Sequence, residues 1–151
     1  MNWRGHLGFN MFITSSIAYF LGFTGSLVNQ VIIISSVLSS IPDIDLRIEL
    51  SHRGLTHNVF FSFFASLLGG YVTNVLGLGY TLGFASVLTA FLTHLVADLL
   101  TYMPFNPLYP LVEGKYSLKL FKSDNALVNN LMLVLGVFTY YVYIRSYGFS
   151  I

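Results

Sequence analysis

The sequence predicts an all-α, polytopic membrane helix bundle, and three observations carry that prediction. Of 151 residues, 55% are hydrophobic and only 9% are Asp, Glu, Lys or Arg, against about 25% charged in soluble domains. Mean hydropathy is +0.73, a value that belongs to the membrane class. Apolar runs long enough to cross roughly 30 Å of hydrocarbon recur at 7–23, 27–42, 58–78, 80–100 and 126–147. The length suits one domain, residues 1–151, with about five transmembrane helices.

The first run follows Arg4 and ends near "GFTGS". That outline also fits a cleaved leader, but no small-x-small site precedes a soluble domain. The first and second runs are both near the lower length limit for a span and join through a tight connection at 24–26. Pro42 disfavours helix at Ile41 and so closes it. Before the third run, Gly54 suggests a tight turn, and Thr56 or Asn58 is placed to cap the helix. Gly69, Gly70, Gly77, Gly79, Gly83, Ala85 and Ala90 punctuate the third and fourth runs, which predicts close backbone packing. The fifth run carries no motif. Five spans put Arg4, Arg47, Arg53, Lys115, Lys119 and Lys122 on one side and only Arg145 on the other. The positive-inside rule then places the N-terminus in the cytoplasm. The net charge of +1 gives no reason to expect a nucleic-acid partner.

On this topology His6, His52, His57 and His94 fall on the cytoplasmic side together with Asp43, Asp45, Asp98 and Asp124. His94 and Asp98, at i and i+4, share a helix face in a segment where ionisable groups are costly. Each feature alone has a plain reading: a hydrogen-bonded helix pair, a solvated helix end, a cap, a basic anchor. Their convergence on one face does not. The chain has no Cys, so a metal here needs imidazole, carboxylate or backbone oxygen ligands. Mixed His and Asp ligands suit Zn²⁺, with Mn²⁺ or Fe²⁺ as alternatives, and the cluster is large enough for one or two ions.

The stretches "GHLGFN" (5–10), "PDID" (42–45), "HRGLTHN" (52–58), "HLVADLLT" (94–101) and "PFNPLYP" (104–110) together resemble the YdjM-type family of membrane-bound metal-dependent hydrolases. The resemblance implies a multi-helix inner-membrane protein with hydrolase activity. A more distant similarity links that family to zinc-dependent phospholipase C and the P1-type single-strand nucleases. Carried over residue by residue, it implies His6, Asp43 or Asp45, His57, His94 and Asp98 as metal ligands, with Asp98 bridging two metals. No His follows His94, so one or two ions are implied rather than three. The amino-terminal Trp ligand of those enzymes is not reproduced, because Trp3 is internal.

The expected activity is therefore cleavage of a phosphoester in a phospholipid or lipid-linked phosphate at the cytoplasmic face. Whichever of Asp43 and Asp45 is not a ligand would orient or deprotonate water. Arg53 would bind phosphate through paired hydrogen bonds, and His52 would act as ligand, proton donor or ligand support. The segment "YSLKLFKS" (116–123) is either a basic loop or an element lying on the bilayer. Two other classes compete. A membrane scaffold tied by metal needs a closed site, and a metal or proton transporter needs ionisable groups near the bilayer midplane. Oligomeric state is not encoded in any of these features.

Overall fold

The computed structural model describes residues 1–43 and 57–149 and is all-helical. Five helices follow in order: α1 (Trp3–Leu21), α2 (Ser26–Leu38), α3 (Val59–Val75), α4 (Tyr80–Leu99) and α5 (Ala126–Tyr147). All five coincide with the apolar runs of the sequence. Three begin at an asparagine cap: Asn2 accepts from the Gly5 amide at 3.0 Å, Asn58 from Phe61 at 2.7 Å and Asn125 from Val128 at 3.1 Å. Each cap satisfies an amide that the helix itself leaves unpaired. Gly22, at φ 69°, ends α1 in the left-handed conformation that lets the chain turn back at once into α2. α2 stops at Leu38, and residues 41–43 form a 3₁₀ turn at Pro42.

Among the described residues, three helical segments are long and apolar enough to cross a membrane: 26–43, α4 and α5; α3 is a shorter apolar helix. α1 is not among them, although a span was expected there. His6, Asn10, Thr14 and Ser15 on its buried face lower its hydropathy, because those positions serve the protein interior rather than lipid.

α4 is the central helix, touching α1, α2 and α3, while α5 packs along α1. Small residues make these approaches close. A Cβ on Gly83 would overlap the Gly69 carbonyl of α3, and one on Gly8 would overlap the backbone of Met132 and Leu133 in α5. The first contact was expected from the glycines of the third and fourth runs. The second, with Gly136 lying against Gly8, was not. The interior is polar relative to the exterior: Asn10, Ser15, Ser35, Ser62, Ser66 and Ser86 are buried, while Phe20, Phe64, Leu68, Leu127 and Val134 face outward. Lipid solvates the outer face at no cost, and polar side chains between helices find partners there.

Candidate metal centre

At the end of the bundle where α2 and α4 finish and α1 and α3 begin, five side chains converge. His6 comes from the first turns of α1, and Asp43 from the 3₁₀ turn after α2. His57 immediately precedes the Asn58 cap of α3. His94 and Asp98 lie one turn apart on the buried face of α4. The side chains of His6, His57, His94 and Asp98 are 0% exposed, and that of Asp43 is 21% exposed. Asp43 is thus the member of the set that faces outward.

The separations distinguish this cluster from an ordinary hydrogen-bonded network. His57 Nε2 lies 3.6 Å from Asp43 Oδ1 and 3.5 Å from Asp98 Oδ2; His94 Nε2 lies 3.6 and 3.7 Å from the same two oxygens. The two Nε2 atoms are 3.1 Å apart. The other carboxylate oxygens face His6, whose Nε2 is 3.5 Å from Asp43 Oδ2 and 3.4 Å from Asp98 Oδ1. Nitrogen to oxygen hydrogen bonds prefer about 2.7–3.2 Å. Ligands at the 2.0–2.2 Å typical of zinc sit about 3.3–3.6 Å apart around a tetrahedron. The imidazole–carboxylate separations are close to the second spacing, while the 3.1 Å contact between His57 and His94 falls in the first.

Tautomer and orientation agree. His94 Nδ1 donates to the Ser39 carbonyl at 2.7 Å, and since a carbonyl only accepts, Nδ1 carries the proton and the Nε2 lone pair points into the cluster. His6 stacks on His94 with ring centroids 3.9 Å apart. Among the described residues neither ring nitrogen of His6 has a hydrogen-bond partner. Burying both is costly unless something else occupies them, so the donor set fits a divalent cation. His6, Asp43, His94 and Asp98 each offer one ligand atom within 4.8 Å of all the others.

Three supports were not foreseen. The Met1 amino group lies 2.5 Å from Asp98 Oδ1 as a buried ion pair. The Ser39 carbonyl that orients His94 is backbone, and so carries no signature in sequence. Asn10, one turn beyond His6, reaches Thr93 Oγ1 at 2.6 Å and accepts from Ser35 and Ser36 at 2.9 and 3.1 Å. It ties α1, α2 and α4 together one turn below the cluster, and its place in "GHLGFN" was the available clue. Phe105 packs edge-on to His57 at 6.1 Å and closes that side.

Of the expected site residues, the structure brings together His6, Asp43, His57, His94 and Asp98. Asp45, His52 and Arg53 lie outside the described residues, as does Thr56. No curated protein and no solved structure matches the chain. The family model described as YdjM inner membrane protein matches residues 1–150. With that match over nearly its whole length, and with membrane-spanning helices around a buried His/Asp cluster, the chain belongs to the YdjM inner membrane protein family.

Proposed function

We propose that the protein is a metal-dependent hydrolase that cleaves a phosphoester of a phospholipid or lipid-linked phosphate, with its site on the cytoplasmic face of the inner membrane. The observation that carries this reading is the buried donor set at ligand spacing, with both nitrogens of His6 free of hydrogen bonds among the described residues. His6, Asp43, His57, His94 and Asp98 would hold one or two zinc or similar ions. Such ions supply a water of lowered pKa and an electrophile for the phosphoryl oxygen.

The chain's own groups divide the remaining work. Asp43 and Asp98 would offset the charge of a bound cation. Ser39 holds the His94 ring through Nδ1. Phe105 keeps bulk water from the His57 side, which strengthens electrostatic interactions inside. Asp43, the partly exposed member, would orient a water for attack, a role Asp45 would share. Arg53 would bind the phosphate, and His52 would protonate the leaving oxygen or support a ligand. A partly exposed carboxylate favours this reading over a metal-tied scaffold, which needs every position closed. A transport role would need ionisable groups deeper in the bundle. The next polar layer there is Asn10 with Ser35, Ser36 and Thr93, which is uncharged.

The test is elemental analysis of the purified, untagged protein beside His94→Ala, followed by phosphate release from phospholipids and lipid phosphates in mixed micelles. The expected result is one or two equivalents of Zn, Mn or Fe, lost together with turnover in the variant, while Arg53→Ala keeps its metal and raises KM. Full turnover by metal-free His94→Ala would sink the proposal. Stoichiometric metal with no turnover on any ester would favour the scaffold.

A further inference from the structure

We propose that residues 101–122, the segment between α4 and α5, form a docking surface for an anionic lipid leaflet, set in the headgroup layer beside the His/Asp cluster. The proposal does not depend on hydrolase activity. Nine large apolar or aromatic side chains between residues 102 and 120 are exposed, Leu111 at 77% and Leu120 at 64% among them. None lies in a spanning helix, so contact with the hydrocarbon core around the helices does not account for them. In water such a patch exceeds what soluble surfaces normally display.

The segment is also held firmly at the level of the helix ends. Phe105 and Tyr116 exchange backbone hydrogen bonds at 3.2 and 2.8 Å, and the Val59 amide at the start of α3 donates to the Pro107 carbonyl at 2.9 Å. Leu118 and Leu120 donate to the last carbonyls of α4, Leu99 and Leu100, at 2.7 and 2.9 Å. Those bonds satisfy carbonyls that a helix end leaves open and fix the exposed leucines beside the membrane boundary.

Charge and conformation select the partner. Lys115, Lys119 and Lys122 outweigh Glu113, a net of +2 over residues 101–122. Lys119 has φ 53°, the one non-glycine residue with positive φ among those described. Leu118, Lys119 and Leu120 are all exposed in succession. Apolar side chains interleaved with long amines suit the boundary between acyl chains and anionic headgroups, where lysine stems lie along apolar surface and amines reach phosphate. Trp3 extends the same belt. It is 59% exposed at this end of the bundle, with the Arg4 guanidinium 5.4 Å from its ring centroid, and Trp is favoured at membrane interfaces.

The chain has no Cys, so single cysteines at Leu111, Leu118 and Leu120 can carry spin labels in the intact protein. In vesicles of phosphatidylcholine with and without phosphatidylglycerol, their collision rates with oxygen and with a water-soluble nickel chelate report depth. Val134→Cys, on the outward face in the middle of α5, calibrates lipid, and Asp124→Cys calibrates water. The expected result is oxygen-dominated collision at all three sites, deeper with phosphatidylglycerol. In Lys115→Gln, Lys119→Gln and Lys122→Gln the preference for that lipid should fall by up to about fivefold per lysine. Nickel access equal to that at position 124 would overturn the proposal. Shielding from both reagents would also overturn it, as the mark of a second copy or a protein partner on the patch. An undiminished phosphatidylglycerol response in the triple variant would refute the anionic selectivity. An unchanged value at position 134 shows that the fold is intact.

Discussion

The two ends of the bundle both bury polar side chains, but they treat them in opposite ways. At the end remote from the cluster, Tyr143 donates to the Phe23 carbonyl at 3.1 Å, Tyr147 to the Tyr19 carbonyl at 2.9 Å and Tyr140 to Asn29 at 3.3 Å. Each hydroxyl faces an acceptor, and the result ties α5 to α1 and α2. At the His/Asp end, imidazoles and carboxylates face one another at 3.4–3.7 Å, wider than an ordinary hydrogen bond. Polar groups that satisfy each other hold a fold together. Polar groups arranged around a shared point are built for something that is placed between them.

The largest expected effect separates those two uses directly. Asp98 is approached by the Met1 amino group and by all three described cluster imidazoles, so Asp98→Ala should eliminate metal binding entirely, whereas His57→Ala, which removes one imidazole of three, should weaken it. Metal content measured over a range of free metal concentrations reads the difference, and equal losses in the two variants would overturn the ranking. Without the carboxylate the buried ammonium loses its partner, and stability should fall by about 3–5 kcal/mol, measured by thermal unfolding of the metal-free proteins.

A smaller effect should come from a position that touches no ligand. Gly83 sits where α4 meets the Gly69 carbonyl of α3. Gly83→Ala should force the helices apart and cost roughly 1–3 kcal/mol through overpacking. Because α3 begins beside His57 and α4 carries His94, metal affinity should drop as well, by an amount that titration with a competing chelator measures. Retained affinity with lowered stability would mean that the cluster end is positioned independently of the shaft.

Much of this arrangement was legible in the sequence. Hydropathy located all five helices, and the spacing of His94 and Asp98 on one helix face marked the centre of the site. What escaped had physical reasons. α1 was expected to span like its neighbours, yet its apolar count hides a buried face of His6, Asn10, Thr14 and Ser15, which a hydropathy average cannot separate from lipid contact. The Gly8 contact with α5 was missed because one glycine in a run of apolar residues has no periodic partner. The Ser39 carbonyl could not be read at all, since a backbone acceptor has no residue identity. The distant resemblance to zinc-dependent phospholipase C and the P1-type nucleases implied no amino-terminal ligand, because Trp3 is internal, whereas the fold brings the Met1 amino group against Asp98.

The smallest expected effect tests the other half of the comparison. Tyr143 is fully buried, and its hydroxyl reaches the Phe23 carbonyl just past the αL turn at Gly22. Tyr143→Phe keeps the ring and its packing against Ala18 and Ile32, and removes one neutral hydrogen bond. Within membranes such bonds average about 0.6 kcal/mol, so the variant should unfold only slightly more easily and should bind metal as the parent does. If instead metal affinity fell with it, the two ends would be coupled through α1, which carries His6 at one end and Tyr19 at the other. The Tyr end would then belong to the site's support. An unchanged metal titration beside a small loss of stability is what a purely structural hydroxyl requires.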